Sequence, residues 1–285
     1  MKTIVLYHGK CPDGFGGAYA AWKKFGDSVE YASLERGSPI PEGLEGNEIY
    51  MIDFSYEQED MDKIKAIAAR FVVLDHHESV KEATESVPEH VYDANRSGAS
   101  IAWSYFHPDT PLPALIKYLE DDDLFRFKLP ETRALITYLT AHPYSFAFWD
   151  EVAQKLDSPA ERQKLFEKAN TYAEYFELLA QVAVKRAKLI SFEGYTCYFA
   201  TSHPLKPMQS LIGNLLAKKM PPIALVVSAH PNGYGVAIRG DGSVDVSAIA
   251  KKYNGGGHPS SSGFLIPREG PFPWTLLEKD ENPRD

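Results

Sequence analysis

The chain has few cysteines, no long apolar run and no excess of positive charge, and each shortage excludes a class of protein. Two cysteines in 285 residues, Cys11 and Cys197, are too few for a disulfide framework. A cytoplasmic protein with reduced thiols is therefore expected. The apolar stretch Thr3–Tyr7 is too short for a signal-peptide core or a membrane span, and no membrane association is expected. Low-complexity tracts and solenoid-length repeats are missing as well. With 30 basic against 39 acidic residues the net charge is −9, so the chain lacks the basic footprint of proteins that grip long duplexes by their phosphates. A small anionic substrate stays open, because bound cations can reverse the field of an acidic site.

What is present is a soluble globular composition, 44% apolar and 24% charged, and enough length for two cores. The first half alternates strand and helix patterns. Thr3–Tyr7 reads as a strand ending at His8, with Asp13 in the loop after it and a helix over 18–25. Glu48–Ser55 reads as a strand reaching Asp53, and a helix follows over 58–70. Phe71–Leu74, four apolar residues of which two are β-branched, reads as a buried strand delivering Asp75, His76 and His77. Such alternation predicts a parallel sheet with right-handed crossovers. In open α/β sheets chemistry collects beyond the carboxyl ends of the strands, and these ends carry Asp and His, which suit divalent cations. Gly14, Gly16 and Gly17 leave two readings open: an anion cradle at a helix start, or tight strand-to-helix packing. Arg96 and Ser97 open a further helix, over 101–106, and suit either a phosphate oxygen or a plain cap.

A short helix over 113–119 runs into Glu120-Asp121-Asp122-Asp123, where apolar neighbours favour a buried or metal-facing subset over a solvated face. From 131 to 190 the pattern is helical. Leu165, Ala169, Tyr172, Phe176, Leu179, Ala183, Ala187 and Ile190 form one apolar stripe, read as a core and connector. Beyond Ser191 come strands over 194–201 and 223–229, a helix between them, a hairpin turn at Pro231-Asn232-Gly233 and a returning strand to Arg239. Asn254 to Gly263 holds three consecutive glycines, His258 and three serines, a costly loop unless it has a task such as wrapping an anion. The Pro-rich, charged tail, 267–285, is expected to add no chemistry. The aromatics Tyr19, Trp22 and Tyr253 fit core packing better than base stacking.

Taken in order, His8…Cys11-Pro12-Asp13-Gly14, Asp53, Asp75-His76-His77, the 121–123 acids and Gly-Gly-Gly-His-Pro-Ser-Ser-Ser-Gly at 255–263 resemble the DHH phosphoesterase superfamily, in its branch with a DHH-associated C-terminal domain. The resemblance implies an α/β chain: a parallel-sheet DHH domain (1–128), a helical connector (129–190), and a smaller α/β domain with a mixed sheet and C-terminal tail (191–285), with the active cleft between the domains. It implies a pair of Mn²⁺ or Mg²⁺ ions held by His8, Asp13, Asp53, His76 and Asp121, the last preferred over Asp123 because it follows the apolar helix end. Asp53 would bridge the ions, Asp75 would support or ligate, and His77 would reach a phosphate oxygen. Arg239, Gly256, Gly257 and His258 would hold substrate, with Arg96 a further candidate from the residues alone. Relatives usually carry Asp-x-Asp-Gly in the first motif. Cys11 stands at the missing carboxylate, either as a thiolate ligand that softens one site towards Zn²⁺ or, as expected here, beside the ion.

The activity implied is metal-dependent hydrolysis of phosphoesters in nucleotides, dinucleotides or short single-stranded oligonucleotides, in the manner of a phosphodiesterase or 3′–5′ exonuclease. Alternatives are an exopolyphosphatase, a 3′-phosphatase of bisphosphorylated nucleotides, or a nucleotide-binding protein that has lost turnover. A homodimer is among the assemblies expected.

Overall fold

The computed structural model describes residues 1–35 and 37–277. Contacts divide the chain into two compact units, 1–173 and 174–285.

The N-terminal unit runs β1 (Thr3–His8), α1 (Pro12–Phe25), β2 (Glu30–Leu34), β3 (Glu48–Ile52), α2 (Gln58–Ile67), β4 (Arg70–Asp75), α3 (Lys81–Glu85), β5 (Glu89–Tyr92), α4 (Gly98–Phe106), α5 (Ala114–Asp123), α6 (Thr132–Thr140) and α7 (Phe146–Asp157). All five strands are parallel, in the order β2-β1-β3-β4-β5. Their side chains alternate between two buried faces, as strand periodicity demands. Val5, Tyr50, Ile52, Val72 and Leu74 pack with α1, α4, α5, α6 and α7. Ile4, Leu6, Ile49, Met51, Phe71 and Val73 pack with α2 and α3. After β2 the chain returns past β1 to build the other half of the sheet, so β1 and β3 flank a switch point. The crevice beyond their carboxyl ends is where such a sheet can hold a ligand.

Glycines settle one open reading. A Cβ on Gly14 would lie 2.2 Å from the His8 carbonyl oxygen, and one on Gly17 would lie 2.3 Å from the Ile52 side chain. A Cβ on Gly16 would lie 2.5 Å from the Leu119 side chain and 2.9 Å from that of Ala99. These residues let α1 press against β1, β3, α4 and α5, which is the packing reading. Pro12 starts the helix where its missing N–H costs nothing, and Gly26, at φ 63°, ends it.

The second unit holds the end of α8 (Pro159–Lys185), then β6 (Lys188–Phe192), β7 (Tyr195–Thr201), α9 (Lys206–Lys219), β8 (Ile223–His230), β9 (Gly233–Gly240), α10 (Val246–Lys251), β10 (Gly256–His258), β11 (Ser261–Pro267) and β12 (Thr275–Leu276). They form a mixed sheet in the order β10-β11-β9-β8-β7-β6-β12, with one parallel pair, β7 and β8. The expected turn at 231–233 joins antiparallel β8 and β9.

The structure departs from the sequence reading in several places. Residues 129–190 are not a separate connector. Leu135, Leu139, Trp149 and Val152 complete the N-terminal core, and the division falls inside α8. The helix stops at Lys185, and Ile190 belongs to strand β6, because alternate burial there fits a sheet edge as well as a helical stripe. The glycine-rich segment is a hairpin, β10 and β11, rather than a loop. Of the tail, 275–276 add a short strand, while 278–285 lie outside the described residues. No helix among the described residues is long and apolar enough to cross a membrane.

Candidate metal centre

Four segments of the N-terminal unit converge on Asp53. This residue follows β3, is buried, and adopts a left-handed backbone at φ 56°. That conformation is uncommon for a non-glycine residue, and such positions gather at functional sites. The turn is fixed by its amide, which donates to the Leu74 carbonyl of β4. Space for it comes from Gly98, where a Cβ would stand 2.5 Å from the Asp53 Cβ and 3.0 Å from Oδ2 of Asp13.

The two Asp53 oxygens serve opposite sides. Oδ2 lies 3.2 Å from His8 Nδ1, and Oδ1 lies 3.1 Å from His76 Nε2. Burial alone would raise the Asp53 carboxyl, but the hydrogen bonds to His76 and His8 prevail and hold it well below the usual carboxylate range. Beyond His76 stand Asp123 Oδ2 at 3.5 Å and Asp13 Oδ2 at 3.9 Å. Asp13 is not the helix cap; its Oδ1 accepts from the Ala99 amide at the first turn of α4. Burial and then the nearby Asp123 and Asp53 charges push its carboxyl well above the ordinary value. Burial disfavours the charged imidazoles, yet His8 and His76 are raised to about 10 and about 11: Cys11 and Asp53 act on His8, and Asp53 and Asp123 on His76.

Two donor sets could each hold a cation. His8, Cys11 and Asp53 offer ligand atoms within 4.8 Å of one another, as do Asp13, His76 and Asp123. A further observation fits a cation between these groups. Oδ2 of Asp13 and Oδ2 of Asp123 are buried and accept no hydrogen bond among the described residues, a state that is costly unless something positive faces them. Imidazole and carboxylate suit Mn²⁺, Mg²⁺ or Zn²⁺.

Asp75 organises the site from behind. Its Oδ1 accepts from the amides of His76 and His77, at 2.7 and 3.2 Å, and contacts His77 Nδ1 at 2.7 Å. Its Oδ2 accepts from Ser55, which in turn meets Thr84. Burial is outweighed by the His77 charge, leaving Asp75 lowered. A carboxylate so occupied orients the His77 imidazole and fixes the backbone that carries His76.

Two expected site residues are elsewhere. Asp121 faces away from the cluster: it accepts from the amides of Lys128 and Leu129 and from the Thr132 hydroxyl, tying the turn after α5. Asp123 takes the place expected for it. Residues two apart on a helix point about 200° apart, and Asp123 continues the buried line of Ile116 and Leu119, a periodic signal that could have selected it. Arg96 folds back along α4 to the Ser100 carbonyl and the Ser104 hydroxyl. Glu120 is a residue the sequence reading passed over. It accepts from the Ser97 amide and the Ser100 hydroxyl and is gripped by Arg126, which ties the end of α5 to the helix start beside Asp13. Tyr19 is buried against Asp150, and Tyr253 stacks on Phe192 and Phe264, both packing roles.

In the second unit two of the expected substrate residues, Arg239 and His258, lie in one row across the strands. His258 pairs with Ser261 across β10 and β11, and Ser261 pairs with Arg239 across β11 and β9. Gly257, at φ 139°, has no room for a side chain against Ser261 and Ser262, so the hairpin needs glycine there. Arg239 is buried, donating to the Ile238 carbonyl and Ser210 hydroxyl, and among the described residues no acid pairs with it. Burial lowers its guanidinium to about 10. A buried cation without a carboxylate is a ready anion site.

Residues 197–275 match the DHHA1 domain family. The match lies inside the C-terminal unit. It completes the resemblance drawn from the motifs, and the chain as a whole has the α/β fold of DHH-superfamily proteins. Protein R106 of Acanthamoeba polyphaga mimivirus, of uncharacterised function, is 25% identical over 92% of this chain and 67% of its own length. An exopolyphosphatase-related protein from Bacteroides fragilis superposes with a TM-score of 0.55 at 14% identity, over 95% of this chain and 87% of that one. RecJ from Thermus thermophilus, solved with Mn²⁺, superposes with a TM-score of 0.50 at 13% identity, over 93% of this chain and 49% of RecJ. At such identities the likeness to the solved structures is one of fold.

Proposed function

We propose that this chain is a divalent-metal-dependent phosphohydrolase that cleaves phosphoester bonds of nucleotides or short single-stranded oligonucleotides with metal-activated water. The observation that carries the reading is Asp53, a single buried carboxylate with an imidazole on each oxygen, between two clusters of metal-ligating groups. Bound there, Mn²⁺ or Mg²⁺ would lower the pKa of a water and neutralise the charge of a phosphoryl group. The chain's own work is positioning. His8, Asp13, Asp53, His76 and Asp123 would hold the ions, and Asp75 holds the backbone amides of His76 and His77 and the ring of His77. His77 would meet a phosphate oxygen, and the Arg239 row with Gly256, Gly257 and His258 would bind the substrate's anionic group. The family of the second unit, and the Mn²⁺ bound by RecJ, support the same chemistry.

The test is product analysis across a dinucleotide, a cyclic dinucleotide, a bisphosphorylated nucleotide and polyphosphate, each with Mn²⁺, Mg²⁺ and Zn²⁺. Release of nucleoside monophosphate from the dinucleotide supports the reading, and Asp53→Ala should lower that rate more than ~100-fold. Full activity in Asp53→Ala, or inertness towards the whole panel, refutes it.

A further inference from the structure

The two cysteines of this chain are both buried, but in different company. Cys197 sits in the apolar core of the second unit with Ile190, Phe192 and Ile223, and burial pushes its thiol up to about 12. Cys11 is 3% exposed, yet among the described residues it joins neither apolar core of the N-terminal unit. It lies beside the His8–Asp53 pair, with sulfur, nitrogen and oxygen within 4.8 Å of one another. Its place at the start of α1 does not explain it, since the side chain makes no capping hydrogen bond.

We infer that Cys11 is a thiolate ligand of one of the two ions, completing a nitrogen, oxygen and sulfur site with His8 and Asp53. This inference rests on the reading that the cluster holds metal, and it reverses the bystander role expected from the sequence. Ligand atoms of a tetrahedral ion with bonds near ~2.1–2.3 Å stand roughly 3–4 Å apart, so this trio needs only a small contraction around a cation. As the sulfur–metal bond forms, the thiol proton leaves to solvent. The other set, Asp13, His76 and Asp123, contains only nitrogen and oxygen donors. The centre is therefore chemically uneven. The site on the His8 side favours borderline ions such as Zn²⁺, Co²⁺ or Fe²⁺, and the site on the Asp123 side accepts Mn²⁺ or Mg²⁺. Asp53 stands beside both, one oxygen facing each imidazole. A mixed-metal centre follows from one substitution at the position where a second carboxylate would make both sites hard.

The experiment is cobalt titration of the full-length, metal-stripped protein, followed by optical absorption. A near-ultraviolet sulfur-to-cobalt charge-transfer band is expected in the wild type and in Cys197→Ser. It should vanish in Cys11→Asp and Cys11→Ser, while cobalt remains bound to Cys11→Asp with ligand-field bands in the visible. Melting curves of both Cys11 variants establish that they are folded. Cobalt bound to the wild type without the charge-transfer band, or a band that survives in both Cys11 variants, overturns the inference and leaves the hydrolase reading standing. A Cys11-dependent band in a protein inert towards the whole substrate panel supports the thiolate and refutes the hydrolase. Failure of the wild type to bind cobalt at all overturns both.

Discussion

Asp121 and Asp123 leave the last turn of α5 towards opposite sides: Asp121 binds the turn at 128–132, and Asp123 reaches within 3.5 Å of His76. Their substitutions should separate stability from metal binding. Asp121→Asn removes acceptors from buried donors and should cost ~1–3 kcal/mol, seen as a lower melting temperature with metal affinity intact. Asp123→Asn should leave the melting temperature of the metal-free protein unchanged or higher, because it removes a charge from a crowded acidic cluster, and should weaken Mn²⁺ binding in calorimetry.

Asp75 acts through its neighbours. Asp75→Asn keeps the shape but replaces one accepting oxygen with a donor, so either the His76 and His77 amides or Ser55 lose their partner. Metal affinity or kcat should fall ~10–100-fold, the usual cost of losing a group that orients metal-bound histidines. Metal titration together with steady-state kinetics checks this.

Gly98→Ala tests the close approach of α4 to the centre. The added methyl would stand 2.5 Å from the Asp53 Cβ, with backbone atoms of Asp53 at 3.0 Å, so the neighbour cannot simply rotate away. Overpacking should cost ~1–3 kcal/mol, and the displaced carboxylate should lower metal affinity. Gly37→Ala, where φ is 83° but nothing lies within 4 Å, is the control: it strains the backbone without touching the site.

The imidazoles predict proton-linked metal binding. His8 and His76 are raised from 6.5 to about 10 and about 11. In the metal-free protein they therefore contribute stability that is fully present below about pH 6.5 and lost as pH rises through about 10 to 11. Metal requires the neutral rings, so binding near neutral pH must release protons, and Mn²⁺ affinity should rise from pH 6 to pH 9. Calorimetry in buffers of different ionisation enthalpy measures the protons released. Affinity that falls with pH would contradict the electrostatics.

Arg239→Met should divide folding from substrate capture. The guanidinium is buried with no acid paired to it among the described residues, so removing the charge should leave stability within ~1 kcal/mol or improve it. Losing the anion partner should raise KM at least ~30-fold with kcat little changed. Chemical denaturation and initial rates read the two effects separately.

Much of this protein is written locally. The alternation of β1, α1, β3, α2 and β4 follows from side-chain periodicity and from glycines that only packing explains, and each strand end carries its own functional group: His8, Asp53, and Asp75 with its two histidines. Local pattern does not reveal which atoms a side chain will find. Asp121 and Asp123 have the same chemistry and nearly the same neighbours in sequence, and only the rotation of α5 on the sheet sends one to His76 and the other to a turn. Arg96 had the composition of a phosphate site, yet its guanidinium was drawn to Ser100 and Ser104 on the helix that follows it. The helical stripe from 165 to 190 broke at Lys185 because sheet pairing claimed Ile190, opposite Cys197 in β7 and Leu276 in β12. The sequence by itself determined the alternation of β1, α1, β3, α2 and β4 and the kinds of candidate ligand at the strand ends. Tertiary structure decided which buried oxygens, among the described residues, lie beside His76 without a hydrogen bond, because hydrogen-bond partners come from segments far apart along the chain.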